Sequence, residues 1–154
     1  MQNFQPISLG KFNPSAFHEV TIAAELQEWL AAVGIVSADV MLSKGRLPIE
    51  IRKPEDHIRI ATTDRIVTQW HRDGLGKNAL SLSEMHVPSI RWMILWSNGT
   101  PTNLCSRTGT EYRFEPYDVI LIDNHTTFHR CPAPEDNRWF VRFSRPILPA
   151  TIGV

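Results

Sequence analysis

The sequence predicts a mainly β fold, an antiparallel sandwich or barrel with an N-terminal helix packed on one sheet. Three observations predict it. Only one stretch, early in the chain, repeats its apolar residues at helical spacing. After Gly34 the apolar residues fall instead into short runs rich in Val, Ile, Thr and aromatic side chains. Those runs are separated by Gly, Pro, Asn and Asp, which end strands and make turns.

The helix is expected over residues 16–33, where Phe17, Val20, Ala24, Leu26, Leu30 and Val33 recur at mostly three- and four-residue steps. Asn13 or Ser15 is expected to cap it, with Pro14 near the first turn and Gly34 as its stop. His18 falls inside it as a surface histidine. Strands are expected over 38–42, 49–52, 58–61, 65–70, 90–96, 111–114, 119–123, 126–130 and 138–144. The separators include Gly74-Leu75-Gly76, Ser97-Asn98-Gly99, Thr108-Gly109 and Glu115-Pro116. A leading helix followed by many short strands, without repeats, fits a jelly-roll or cupin-like architecture in one domain spanning 1–154. The tail, 146–154, is expected to trail along the surface or to cover an edge.

A chain of 154 residues is long enough to bury a proper core, and 42% hydrophobic with 21% charged residues is the composition of a globular protein. Sixteen basic residues balance sixteen acidic ones, which excludes a global attraction to nucleic acid or to an anionic membrane and leaves room only for a local arginine patch. Cys105 and Cys131 lack metal-type spacing and are expected to be free thiols in a reducing compartment. The N-terminal residues show no basic patch followed by an apolar run, and no apolar stretch approaches membrane-spanning length, so the expected location is cytoplasmic.

The chemistry concentrates in His71-Arg72-Asp73. On a strand, residues two apart face the same way, so His71 and Asp73 would present an imidazole and a carboxylate together. Six histidines and sixteen acidic residues produce such a pair about 0.6 times by chance, so its weight comes from context. The expected strand 65–70 runs into it, and Gly74 and Gly76 follow. A second histidine, His129, follows the buried-looking strand 119–123. Two histidines and one carboxylate with open coordination positions suit non-haem Fe(II). Beyond a turn, Arg138, Phe140, Arg142 and Ser144 are expected on one strand face and Trp139, Val141 and Phe143 on the other. If the arginine face is interior, it needs an anion, and a dicarboxylate would supply one.

Here the sequence resembles a family. Residues 66–145 look like the Fe(II)/2-oxoglutarate-dependent oxygenases, whose pattern is His-x-Asp/Glu, a distal His, and an Arg roughly ten residues later. His71 and Asp73 match the first element, His129 the second, and Arg138 (138 − 129 = 9 residues on) the third. The resemblance implies a double-stranded β-helix, taurine dioxygenase-like or small prolyl hydroxylase-like. It implies Fe(II) held by His71, Asp73 and His129, with 2-oxoglutarate as cosubstrate. It further implies hydroxylation of an unidentified substrate by O2 with release of succinate and CO2. By its spacing from His129 the resemblance implies Arg138 as the cosubstrate anchor, while Arg142-Phe143-Ser144 resembles an Arg-x-Ser motif that would give Arg142 that role. Thr102 is a candidate cosubstrate contact by analogy with the taurine branch. The interval between Asp73 and His129 is short for that branch, so large substrate-covering inserts are not expected. His125 is expected near the rim or behind the ligands, His57 and His86 at the surface, Trp92 and Trp96 in the core, and Trp70 in packing behind His71. A cupin-type metalloenzyme without 2-oxoglutarate and a non-catalytic jelly-roll binding module remain as alternatives.

Overall fold

The fold is seen in a computed structural model, which describes residues 5–35, 49–54, 69–72, 92–124, 126–133, 135 and 137–144. The elements, in order, are β1 (Ile7–Lys11), α1 (Glu19–Ala32), β2 (Ile49–Arg52), β3 (Trp92–Ser97), β4 (Asn103–Ser106), β5 (Glu111–Tyr112), β6 (Asp118–Asp123), β7 (Thr127–Arg130) and β8 (Phe140–Ser144). They form a mainly β structure of two antiparallel sheets. Among the described residues the larger has five strands in the order β1-β6-β3-β8-β2, and the smaller has three in the order β5-β4-β7. The expected strands 38–42 and 58–61, most of 65–70, and the tail 146–154 lie outside the described residues, as do His57, His86 and His125.

Strand alternation builds two cores, one on each side of the large sheet. Ile94, Trp96, Val119, Leu121 and Val141 face Ile22, Leu26 and Leu30 of α1. Met93, Leu95, Ile120 and Ile122 face the other way and meet Leu104 of the small sheet, with Tyr112, Phe114 and Phe140 packed around them. The result is three layers: helix, large sheet, small sheet. Each fully buried Leu or Ile contributes roughly 1.5–3 kcal/mol by leaving water, and Ile22, Leu26 and Leu30 have no exposed surface at all.

The helix differs from expectation at its start. Its N-cap is His18, in an extended conformation, with Nδ1 accepting the Val20 N–H at 3.3 Å. Ser15 is occupied elsewhere: its N–H and hydroxyl donate to the two carboxylate oxygens of Glu25 at 2.6 and 2.5 Å. Phe17 therefore precedes the helix, and Phe17, Val20 and Val33 are substantially exposed. The buried stripe is Ile22, Leu26 and Leu30, one residue per turn. At the other end Ile35 N–H bonds back to Leu30 O at 2.9 Å, closing the helix in a Schellman-type turn. The chain's described helix is not long and apolar enough to cross a membrane.

Two strands escaped the sequence pattern. β1 pairs with β6 at the sheet edge, with a register irregularity between Ser8 and Gly10. Gly10 sits at φ +127°, where a side chain would be strained, and a Cβ there would stand 3.2 Å from the Trp29 ring. Trp29 and Trp96 both stack edge-on against Phe12, and the Trp96 indole N–H donates to Phe12 O at 3.0 Å. β4, Asn-Leu-Cys-Ser, is short and polar and is held by pairing with β5 and β7.

Leu26→Ala is expected to lower unfolding free energy by about 2–5 kcal/mol, read as a fall in the urea midpoint at unchanged slope. The Ser15 hydroxyl, then its backbone N–H, hold the Glu25 carboxyl below its ordinary 4.5. A folded-state pKa that is depressed adds stability that is fully present above the unfolded value and is lost as pH falls through the folded one. Glu25→Gln is therefore expected to flatten the acid limb of the stability curve, measured by urea titration between neutral and acidic pH.

Candidate metal centre

His71 and His129 form a reciprocal antiparallel pair: His71 N–H donates to His129 O at 3.1 Å, and His129 N–H donates to His71 O at 2.9 Å. Directly opposed residues share a face. The imidazoles accordingly stand together, ring centroids 4.3 Å apart at 62°. Which face follows from β4. His129 is the register partner of Leu104, and Leu104 belongs to the core between the sheets. Both rings thus point into the inter-sheet interior, and both residues are about 5% exposed (5% and 6%). The His71 Nδ1 lies 2.6 Å from Gln69 O. A carbonyl only accepts, so Nδ1 carries a proton, and in the neutral ring Nε2 then carries the lone pair. That tautomer, fixed by a backbone carbonyl, is the usual arrangement behind a metal-ligating imidazole.

The opposite wall is the large sheet. Arg142 pairs in register with Leu95 on one side and Glu50 on the other. It alternates with Val141, which faces the helix, so Arg142 faces the small sheet together with Phe140. The face of β8 that carries Arg142 is thus the one turned to the small sheet. Arg138 reaches the same side by another route. The expected strand start at 138 is two residues too early, because Trp139 N–H donates to the Asn98 side-chain oxygen at 2.6 Å and not to a neighbouring strand.

Arg138 is 1% exposed. Its Nε donates to Ser97 Oγ at 3.1 Å, its guanidinium lies 5.5 Å from the Phe140 ring centre, and Nη1 approaches Cys131 Sγ at 4.0 Å. Glu135 is 3.9 Å from Nε, a loose ion pair. Burial holds the guanidinium pKa below its usual value, against the opposing pull of Cys131 and Glu135. Cys131 is two residues beyond His129, roughly 7 Å of extended chain, so the arginine and the imidazole pair border the same end of β7.

The turn after β3 clamps this arginine, and the sequence marked Ser97-Asn98-Gly99 only as a separator. Besides the Ser97 and Asn98 bonds, Thr100 N–H donates to Glu135 at 2.6 Å and Asn98 donates to Asn137 O at 3.1 Å. Gly99 has no side chain because a Cβ there would sit 2.7 Å from the Glu135 carboxylate and 3.2 Å from Arg138 Cγ. Gln69, whose carbonyl orients His71, was equally invisible, since it acts through its backbone.

Of the residues singled out by sequence, His71 and His129 are brought together on the inner face of the small sheet, Arg142 lies on the side of the large sheet that faces it, and Arg138 is buried against the turn after β3. Thr102 is buried just before β4 and lines a cleft at that end of the small sheet. Asp73 lies outside the described residues, and among the described residues no group of three or more His, Cys, Asp or Glu side chains is placed to hold a metal. Cys105 and Cys131 are both free thiols. Gly99→Ala is expected to displace Arg138 and to cost about 1–3 kcal/mol of stability by overpacking, read in a denaturant titration. No family model, curated protein or solved structure matches this chain.

Proposed function

We propose that the chain is an Fe(II)- and 2-oxoglutarate-dependent oxygenase on a double-stranded β-helix scaffold, with His71, Asp73 and His129 as the iron ligands. One observation carries this reading: two distant histidines pair in register and turn both imidazoles into an interior that arginines enter from the opposite sheet. The donor chemistry fits the ion. Two neutral imidazoles, one of them oriented by a backbone carbonyl, with the Asp73 carboxylate, make a site suited to a divalent first-row metal. They leave residual positive charge, which favours an anionic cosubstrate.

When bound, the iron and 2-oxoglutarate would supply the oxidising chemistry, with succinate and CO2 released. The protein's part is to bind, orient and exclude water. Arg138 would hold the far carboxylate of 2-oxoglutarate, its geometry set beforehand by Ser97, Asn98 and Gly99. Burial lowers its pKa, and an incoming carboxylate would favour its charged form. Arg142, half-buried and on the same side, is the second basic group available to the cosubstrate or to an acidic substrate. Met93, Leu95 and Ile122 supply the dry floor.

His71→Ala and Asp73→Ala are expected to lose Fe(II) binding and succinate formation while keeping the far-ultraviolet circular dichroism of the parent. Arg138→Lys, which removes the bidentate fork, is expected to weaken 2-oxoglutarate binding by roughly 10- to 150-fold, the loss of one charged hydrogen bond. Normal 2-oxoglutarate turnover by both ligand variants rules the assignment out. Stoichiometric metal without succinate formation points to a metalloenzyme of another type.

A further inference from the structure

Alternation that turns the imidazoles inward turns their neighbours outward. Continuing the 71/129 and 103/130 pairings, one cross-strand row on the outer face of the small sheet reads Trp70, Arg130, Asn103, Arg113. The next row contains Arg72, Phe128 and Cys105, with Glu111 at its end. Each row contains an arginine stacked on an aromatic ring: Arg130 lies 4.6 Å from the Trp70 ring centre and Arg72 lies 4.8 Å from that of Phe128. Arg107 follows β4 on the same side and is exposed, as is Arg113. Burial and then the charge of Arg107 hold the Arg72 pKa below its ordinary value, so these cations crowd one another. Among the described residues this face presents four arginines against one carboxylate, Glu111. In a chain of zero net charge, that is a local concentration of positive potential.

A cleft of about 280 Å³ opens at the end of the small sheet, where β4 begins and β5 ends; Trp70, Asn103, Arg113 and Arg130 reach it from the outer rows and Thr102 and Tyr112 from the inner ones. It falls just under the roughly 300–1,000 Å³ of pockets that enclose a whole drug-sized ligand, a volume suited to one planar ring with its attached charge.

We propose that the outer face of the small sheet binds single-stranded nucleic acid, with one base stacked on Trp70 at the mouth of the cleft and with Arg107, Arg113 and Arg130 on the phosphates. Aromatic and guanidinium planes set in successive rows of a sheet give sequence-tolerant stacking, and the cations track the backbone. A duplex would hide its base faces from such a platform, and the described helix packs on the far side of the large sheet. An acidic peptide would satisfy the arginines but leave the stacked rings without a role. The proposal stands apart from the metal reading, because the groups it assigns to the ligand, Trp70, Arg107, Arg113 and Arg130, are none of the residues that reading uses.

The test is fluorescence anisotropy of a short labelled oligothymidylate. Saturable binding is expected at about 50 mM salt and should weaken steeply by about 200 mM, as counterion release demands. The exposed double change Arg107→Glu/Arg113→Glu should weaken binding by at least about tenfold. Trp70→Ala should weaken it by about 5- to 150-fold, the range for losing one stacked base. Binding is expected to survive excess polyglutamate and excess blunt duplex. Absence of binding at low salt, affinity unchanged in the double-glutamate variant, or competition by polyglutamate or duplex as effective as by unlabelled oligothymidylate each overturns the proposal. The exposed arginine variants keep it testable if Trp70→Ala fails to fold.

Discussion

Two backbone hydrogen bonds, between residues 71 and 129, set what each face of the small sheet presents. The side-chain period of a strand is two, so a slip of one residue in this pairing would turn an imidazole away from its partner and bring Trp70 or Arg72 inside. The bonds themselves are worth only about 1 kcal/mol each. The register is held more firmly by what it buries: Leu104 in the inter-sheet core, next to His129 across the ladder. An apolar contact thus fixes the position of a polar pair, and the metal reading and the nucleic-acid face are two consequences of one alignment.

The interior between the sheets is not purely apolar. Isolated burial of a guanidinium costs several kcal/mol, yet Arg138 is almost fully enclosed. A serine hydroxyl, an aromatic face, a thiol and a carboxylate are among the groups that surround it. A side chain held by several neighbours at once keeps its orientation.

Much of the fold was legible because long apolar alternation is hard to disguise: β3, β6 and β8 carry it in almost every residue. What was missed has local causes. β1 hides because Gly10 breaks its alternation with an irregular register, and β4 hides because its composition is that of a turn. The helix start was misjudged because a carboxylate ten residues on, Glu25, captures Ser15 and leaves the cap to His18. At the candidate site, the two histidines were named together and parity put Arg142 on one strand face with Phe140, but which face was interior was not readable from the residues. The devices that orient them were not readable, since the Gln69 carbonyl, the Asn98 side chain and the bare Cα of Gly99 act through geometry that no residue type announces.

The irregularity at Gly10 also bears on how the molecule behaves in a crowd. Among the described strands β1 is the outermost of the large sheet, and it carries a partly exposed isoleucine. A straight strand in that position would offer its unpaired amides as a template for intermolecular strand addition. The kink at Gly10 interrupts that template, and Lys11 beside it is engaged by Glu115 and Asp118. The same bare residue that admits the Trp29 ring therefore makes the rim a poor seed for amyloid-like growth.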